Sequence, residues 1–387
     1  MDRAPDYESD GCAFDSRRGR LSGYTYPMPK VLHLIDHNGL GGAQRIVAGI
    51  LAKRSSDLVF PLRSHPNPMF ALPEDYPLVG SPNPKPGLIL KIKPLRMWLK
   101  AYPADILHCH LQASWLLGIF LSRFNNRDRR LHFIFHEHNP YILYSQTYPY
   151  LVKLAARSGK IIVVSGSLRQ RLRKLDIPEE KQIYLPNYVA SQFFTNQNGA
   201  ARLEPDPGWC GNKTIVGYAG RIVGIKGWRT LVEVAQALRE EAVVFLVAGT
   251  GADEKQLRQS IQTNNLGDKI RLLGFVEDMG SFYHSIDLLL FPSWYEVFGL
   301  APLEAQACGT VVVASDIPGI KEVIDEHNAI LLPPGDIAGM VKAIQDLIAH
   351  PELRQTLVER GYKNARKYAI EGYLSQLEQI YRSVMVD

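Results

Sequence analysis

Short apolar runs recur along the chain. Each is long enough for one strand and too short to cross a membrane. In the first half they are VLHLID (31–36), DILHCH (105–110), HFIF (132–135) and IIVVS (161–165). In the second half they are TIVGYAG (214–220), AVVFLVAG (242–249), IRLLGF (270–275), DLLLFPS (287–293), TVVVAS (310–315) and AILLPP (329–334). Strands this uniformly apolar are buried on both faces, which is the condition of a parallel sheet sandwiched by helices. Right-handed crossovers wind such units into open, doubly wound sheets. The expected fold class is therefore α/β: two doubly wound, Rossmann-like domains facing a deep cleft, with ligands bound beyond the carboxyl ends of the strands.

A chain of 387 residues with 46% hydrophobic and 21% charged residues has the composition of two globular domains. Residues 1–28 are polar and turn-rich and read as a poorly ordered leader without the apolar core of a signal peptide. Residues 29–187 read as the first domain. Residues 188–212 are dense in turn formers and read as a linker. Residues 213–365 form the second domain. A final helix over 366–387 is expected to pack back on the first domain. No run of eighteen apolar residues occurs, so no transmembrane helix is expected. Cys12, Cys109, Cys210 and Cys308 are scattered without metal-ligand or disulfide-framework spacing, which points to a reducing, cytoplasmic setting.

The charge is uneven. Residues 1–190 hold 26 Lys and Arg against 15 Asp and Glu, whereas residues 191–387 hold 18 against 24. A basic first half reads equally as a solvated surface or as suited to an anionic partner: a phosphorylated or lipid-linked acceptor, or the inner face of a membrane. No nucleic-acid-binding motif accompanies it. Residues 62–104 break the strand–helix rhythm, and KPGLILKIKPLRMWLK (85–100) is both basic and apolar. It reads either as a membrane-surface or acceptor-groove segment or as a surface helix with snorkelling lysines.

Three glycine-containing turns follow strands and precede helices, where backbone N–H groups and the helix dipole favour phosphate. NGLGGAQR (38–45) brings Gly41 and Gly42. GRIVGIKG (220–227) adds Arg221 and Lys226, two cations five positions apart that could grip a diphosphate. VAGTGADE (247–254) resembles a dinucleotide fingerprint, but Glu254 stands where the third glycine belongs. Gly249 and Gly251 read instead as points of close backbone approach.

The most informative stretch is WYEVFGLAPLEAQACG (294–309). Glu296 precedes a loop, and Glu304 lies in the helix that Pro302 helps to start. Phe298, Gly299 and Leu300 would offer N–H groups at that helix's N-terminus. Carboxylates in an apolar run cost free energy unless partnered, and vicinal sugar hydroxyls are suitable partners.

The block EVFGLAPLEAQACGTVVVASDIPGIKEVI resembles retaining glycosyltransferases of the GT-B fold, in particular glycosyltransferase family 4, through the E-x7-E motif formed by Glu296 and Glu304. GRIVGIKG and GLGGAQR are similar to that family's glycine loops, and ILHCH (106–110), FHEHN (135–139), VVSGSL (163–168) and LPNYV (185–189) follow its weaker landmarks in order. Asn187-Tyr188 stands where the family often has Asn-Gly. The resemblance implies a nucleotide-diphosphate sugar, a UDP- or GDP-sugar, as donor substrate. Glu304 would hold the ribose. Glu296 and the backbone at Phe298, Gly299 and Leu300 would hold the sugar. Arg221 and Lys226 would hold the diphosphate, and His138 would lie near the anomeric carbon. Backbone near Phe275 and Val276 would touch the base, while Gly41, Gly42 and Gly249 would approach the donor.

The resemblance also implies front-face attack with retention, no cofactor and no bound metal. It places the work in bacterial envelope or exopolysaccharide synthesis, on a lipid-linked or glycan acceptor. No Asp-x-Asp occurs, and the two fixed cations would replace a metal's charge. His108, His110, His136 and His138 lack the Cys or carboxylate partners that would favour zinc. Two other classes share these features: a non-catalytic nucleotide-sugar-binding module, and a nucleotide-sugar epimerase on the same fold.

Overall fold

The computed structural model describes residues 28–39, 41–65, 68–70, 91–123, 131–138, 146–194 and 208–386. The leader 1–27, most of 62–104 and the middle of the linker lie outside the described residues. The described chain builds two parallel six-stranded sheets.

The first sheet comprises β1 (Val31–Ile35), β2 (Leu58–Pro61), β3 (Ile106–His110), β4 (His132–Glu137), β5 (Lys160–Val163) and β6 (Gln182–Tyr184). Its order is β2-β1-β3-β4-β5-β6. The helices between them are α1 (Gly42–Lys53), α2 (Ile92–Ala101), α3 (Gln112–Ser122), α4 (Tyr148–Ser158) and α5 (Gly166–Lys174). Four of its strands coincide with the apolar runs. The other two are LVFP and QIY, too short to announce a strand, one ending in proline and the other opening on glutamine. β4 runs two residues beyond HFIF, carrying His136 and Glu137 into the strand.

The second sheet comprises β7 (Thr214–Ala219), β8 (Val243–Ala248), β9 (Ile270–Gly274), β10 (Leu288–Phe291), β11 (Val311–Ser315) and β12 (Ile330–Leu332), in the order β12-β11-β10-β7-β8-β9. Its helices are α6 (Trp228–Ala237), α7 (Glu254–Thr263), α8 (Met279–Ser285), α9 (Leu300–Ala307), α10 (Pro318–Lys321), α11 (Ile337–Ala349) and α12 (Pro351–Arg366), with α13 (Ile370–Val386) closing the chain. All six strands fall on the six apolar runs. Residues 216, 244–247, 289–290 and 312–314 are essentially inaccessible, as strands covered on both faces require.

Helix α13 belongs in sequence to the second half and in packing to the first. Ile370, Tyr373, Leu377, Tyr381 and Val384 share a buried cluster with Val31, Ile106, Ile134 and Ile162 of the first sheet and with Ile46 and Ile50 of α1. A parallel bridge between Val189 and Ala369 starts this return. Tyr188, in the Asn-Tyr departure, is buried here and donates its hydroxyl to the carbonyl of Ile46 at 2.9 Å. A glycine could not make that contact.

The basic, apolar segment resolves as α2 from residue 92 onward. Leu95 and Trp98 are buried, and Trp98 meets Phe60 of β2 edge-on at 5.7 Å. The helix thus spends its apolar face on its own domain. No described helix is long and apolar enough to cross a membrane.

Candidate active site

In each sheet the strand order reverses once, between β1 and β3 and again between β7 and β10. Chain segments leaving neighbouring strands in opposite directions open a crevice at the carboxyl ends of the strands. The loop after β7 carries Arg221 and Lys226, and the loop after β10 carries Glu296. The two loops are joined directly: the amide of Trp294 donates to the carbonyl of Ile225 at 2.9 Å. Lys226 forms an ion pair with Glu296, and Ser293 donates its hydroxyl to the same carboxylate oxygen at 3.1 Å. Both side chains of the pair are mostly shielded, 16% and 11% exposed, so the pair is screened less than a surface one. The hydroxyl of Tyr218 on β7 donates to the carbonyl of Lys226 at 3.1 Å, fixing the loop from below. Burial, with the nearby Glu296 carboxylate, keeps that phenol protonated by raising its pKa. Arg221 lies exposed on the same loop.

Glu304 sits apart from that pair. It is buried on α9, where Arg45 of α1 donates to one carboxylate oxygen at 3.3 Å and Tyr283 of α8 donates to the other at 3.0 Å. Burial raises its pKa, and Arg45 and Tyr283 oppose that rise. Helix α9 is pinned from behind: Gln306 donates to Asn328 at 2.8 Å and accepts from Asn364 of α12 at 3.1 Å. At its start, Gly299 adopts φ 57°, and a Cβ there would press to 2.6 Å on Ile320. Glycine is what this cap tolerates. Pro302 lies in the first turn of α9, Phe298 is buried against Tyr368, and Leu300 is the first helical residue.

The other expected residues distribute as follows. Gly41 and Gly42 open α1 and are exposed. Phe275 is 47% exposed just beyond β9, with Val276 packed partly against the core. Gly249 has φ 145°, and a Cβ there would collide with the carbonyl of Gly220. The close approach it serves is between the ends of β7 and β8. His138 directly follows β4, half-buried, its Nε2 2.9 Å from Nδ1 of His110.

Several residues had no sequence signal. Arg45, Tyr283 and Ser293 complete the surroundings of the two glutamates. Glu322, just after α10, accepts from the amides of Gly166 (2.5 Å) and Ser167 (2.8 Å) at the start of α5 in the first half. Both cross-domain contacts join segments that follow strand carboxyl ends: α1 and α5 on one side, α9 and α10 on the other. The two sheets therefore present their carboxyl ends to each other.

Two such sheets, each with a single switch point turned toward the other, define the GT-B class. The solved structure of Anabaena Alr3699/HepE in complex with UDP and glucose superposes with a TM-score of 0.77 at 20% identity, over 92% of this chain and 100% of that one. The family descriptions that match are "Glycosyltransferase Family 4" over residues 54–193 and "Glycosyl transferases group 1" over residues 202–364. The chain belongs to glycosyltransferase family 4. It is 28% identical over 236 residues to the alpha-D-kanosaminyltransferase of Streptomyces kanamyceticus, 59% of this chain and 61% of that protein. It is 34% identical over 165 residues to the phosphatidyl-myo-inositol mannosyltransferase of Mycobacterium leprae, 41% of this chain and 43% of that protein. Each match thus spans less than two thirds of the relative's length.

Proposed function

We propose that this protein transfers a sugar from a nucleotide-diphosphate donor, a UDP- or GDP-sugar, to a hydroxyl of a lipid-linked or glycan acceptor, with retention of anomeric configuration and without a metal or cofactor. The observation that carries this reading is the Lys226–Glu296 pair at the switch point between β7 and β10, beside Arg221 on the same loop. The UDP in the Alr3699/HepE structure and the sugar transfer in the relatives' names support the donor class.

The resting ion pairs suggest how the donor is received. A diphosphate entering the crevice competes for Lys226 and gathers Arg221, leaving Glu296 free to accept from sugar hydroxyls. The ribose hydroxyls compete with Arg45 for Glu304. As the anomeric C–O bond breaks, negative charge grows on the leaving diphosphate, and fixed cations stabilise it more than they stabilise the bound donor. The leaving phosphate takes the acceptor's proton as the acceptor oxygen attacks from the same face. His138 would lie beside the anomeric carbon, with Phe275 and Val276 near the base. The basic first half would hold an anionic acceptor at the inner face of a bacterial membrane, in envelope or exopolysaccharide synthesis.

The test is nucleotide release from a panel of UDP- and GDP-sugars, with and without saccharide and lipid-linked acceptors. Acceptor-dependent release of UDP or GDP is the expected result. Tight binding without turnover over the whole panel would favour a binding module. Conversion of the sugar with no acceptor present would favour an epimerase.

A further inference from the structure

Five histidines share one face of three adjacent strands, running from mid-strand at His33 and His108 to the carboxyl ends at His110 and His136 and just beyond at His138. His33 of β1 is in register with His108 of β3, and His110 of β3 with His136 of β4. His138 follows two residues after His136. The alternation of strand side chains puts all five on the same face, beneath α1 and α13. His33, His108, His110 and His136 are inaccessible to solvent. Burial holds His108, His110 and His136 well below the usual histidine range and lowers His138 to about 3, so these rings are neutral at physiological pH.

A neutral imidazole has one donor nitrogen and one acceptor, so a chain of such rings has a direction. Here a carboxylate sets it. Burial works against the charge of Asp57, but bonds from His33 and Arg54 hold its carboxyl below the usual range, and Arg54 donates to its two oxygens at 2.7 and 3.0 Å. Being ionised, Asp57 only accepts. Its Oδ2 is 3.3 Å from Nε2 of His33, so His33 carries its proton on Nε2. With one proton on each ring of the chain, Nδ1 of His33 accepts from Nε2 of His110 at 3.0 Å. Nδ1 of His110 is bare in turn and accepts from Nε2 of His138 at 2.9 Å. The sequence of bonds leaves Nδ1 of His138 as a lone-pair nitrogen with no partner among the described residues.

We propose that Asp57, His33 and His110 are positioning residues that lock His138 as its Nε2–H tautomer, so that its bare Nδ1 accepts a hydrogen bond from a hydroxyl of the donor sugar. The proposal rests on the glycosyltransferase reading and adds to it a reason why this ring would meet the donor through an acceptor nitrogen.

The neighbours fit this role. His136 has no hydrogen-bond partner for either ring nitrogen among the described residues and stacks on His138 with ring centroids 3.9 Å apart, a flat wall that fixes the ring plane. His108 is turned away by the hydroxyl of Tyr381 on α13, 2.7 Å from its Nδ1. Ring nitrogens of His110, His136 and His138 lie within 4.8 Å of one another, but a divalent cation would add two buried charges opposite the Asp57 carboxylate, which Arg54 already neutralises.

The first measurement needs no variant and no donor. In protein carrying 15N-labelled histidine, the ring-nitrogen resonances of His138 are expected to show a protonated Nε2 and a bare Nδ1. The opposite tautomer would overturn the proposal. His33→Phe is expected to leave His138 as a mixture of tautomers and to lower kcat/KM about 10²-fold, the cost of a misplaced contact at the reacting centre. His33→Gln, which can still bridge Asp57 and His110, is expected to restore much of both. A lowered melting temperature with His138 unchanged in tautomer would reduce His33 to a packing residue. Stoichiometric uptake of added Zn2+ that captures these nitrogens would also overturn the relay. If no nucleotide sugar is turned over, the proposed function falls while the tautomer result still stands or fails by itself.

Discussion

At the residue scale the site is built from charges that are already paired before any ligand arrives. Lys226 and Glu296 neutralise one another, as do Arg45 and Glu304. This lowers the cost of holding carboxylates in an apolar setting. On the proposed function, Lys226→Ala and Arg221→Ala should each cut turnover roughly 10²-fold or more, because each would remove a cation facing the charge that develops on the leaving group. Steady-state kinetics with the best donor would check this, and unchanged turnover in both variants would remove the diphosphate assignment. Gly249→Ala should destabilise the second domain by roughly 1–3 kcal/mol, since the backbone at φ 145° and the Gly220 carbonyl leave no room for a methyl group. Urea unfolding would measure it. A variant as stable as the parent would mean that the two loops part easily.

At the element scale the histidine-bearing face of β1, β3 and β4 predicts an unusual acid limb. These histidines have folded pKa values below their unfolded value of 6.5. Below pH 6.5 the unfolded chain binds protons that the folded chain refuses, so stability is full above that pH and falls as pH drops. For His138 the loss continues to about pH 3. Each such ring adds a slope of at most about 1.4 kcal/mol per pH unit. The charged and polar groups facing the cluster are Asp57, Arg54 and Tyr381. Glu304 works in the opposite direction, since its raised pKa gives stability that is lost as pH rises. Chemical unfolding between pH 4 and pH 7 should therefore show stability falling from about pH 6.5, with a shallower slope in His136→Phe. A flat profile above pH 5 would contradict the buried neutral state.

How far the sequence foretold these elements depends on what carried the signal. Long β-branched runs such as AVVFLVAG announce central parallel strands because both faces are buried. LVFP and QIY are edge strands of three or four residues, one holding a proline and the other a glutamine, and nothing local separates them from loop. The alternation in VLHLID, ILHCH and HFIFHEH places each histidine on one side of its own strand. It takes the register His33↔His108 and His110↔His136 to place them on the same side of one sheet. Register is a tertiary fact. For the same reason the E-x7-E pair was visible as chemistry, while Arg45, 259 positions from Glu304, was not.

At the scale of the whole molecule, α13 and two polar contacts tie the halves together. α13 crosses to the first sheet, covers the histidine face and supplies Tyr381 to it. Glu322 caps α5, and Arg45 reaches Glu304. Replacing Glu322 by Ala removes a cap worth about 1 kcal/mol and should loosen the closed arrangement. Small-angle scattering should then show a larger radius of gyration for the variant than for the parent, and identical curves would show that α13 alone sets the spacing. The central claim is that one nucleoside diphosphate is held at the switch point of the second sheet by Arg221 and Lys226, with Glu304 on its ribose. Calorimetric titration of UDP and GDP into the parent, Lys226→Ala and Glu304→Gln tests it most directly. One of the two nucleotides should bind the parent, at least tenfold more weakly in each variant, a loss of about 1.4 kcal/mol per contact. Equal affinity in all three proteins would place the nucleotide elsewhere and contradict the account.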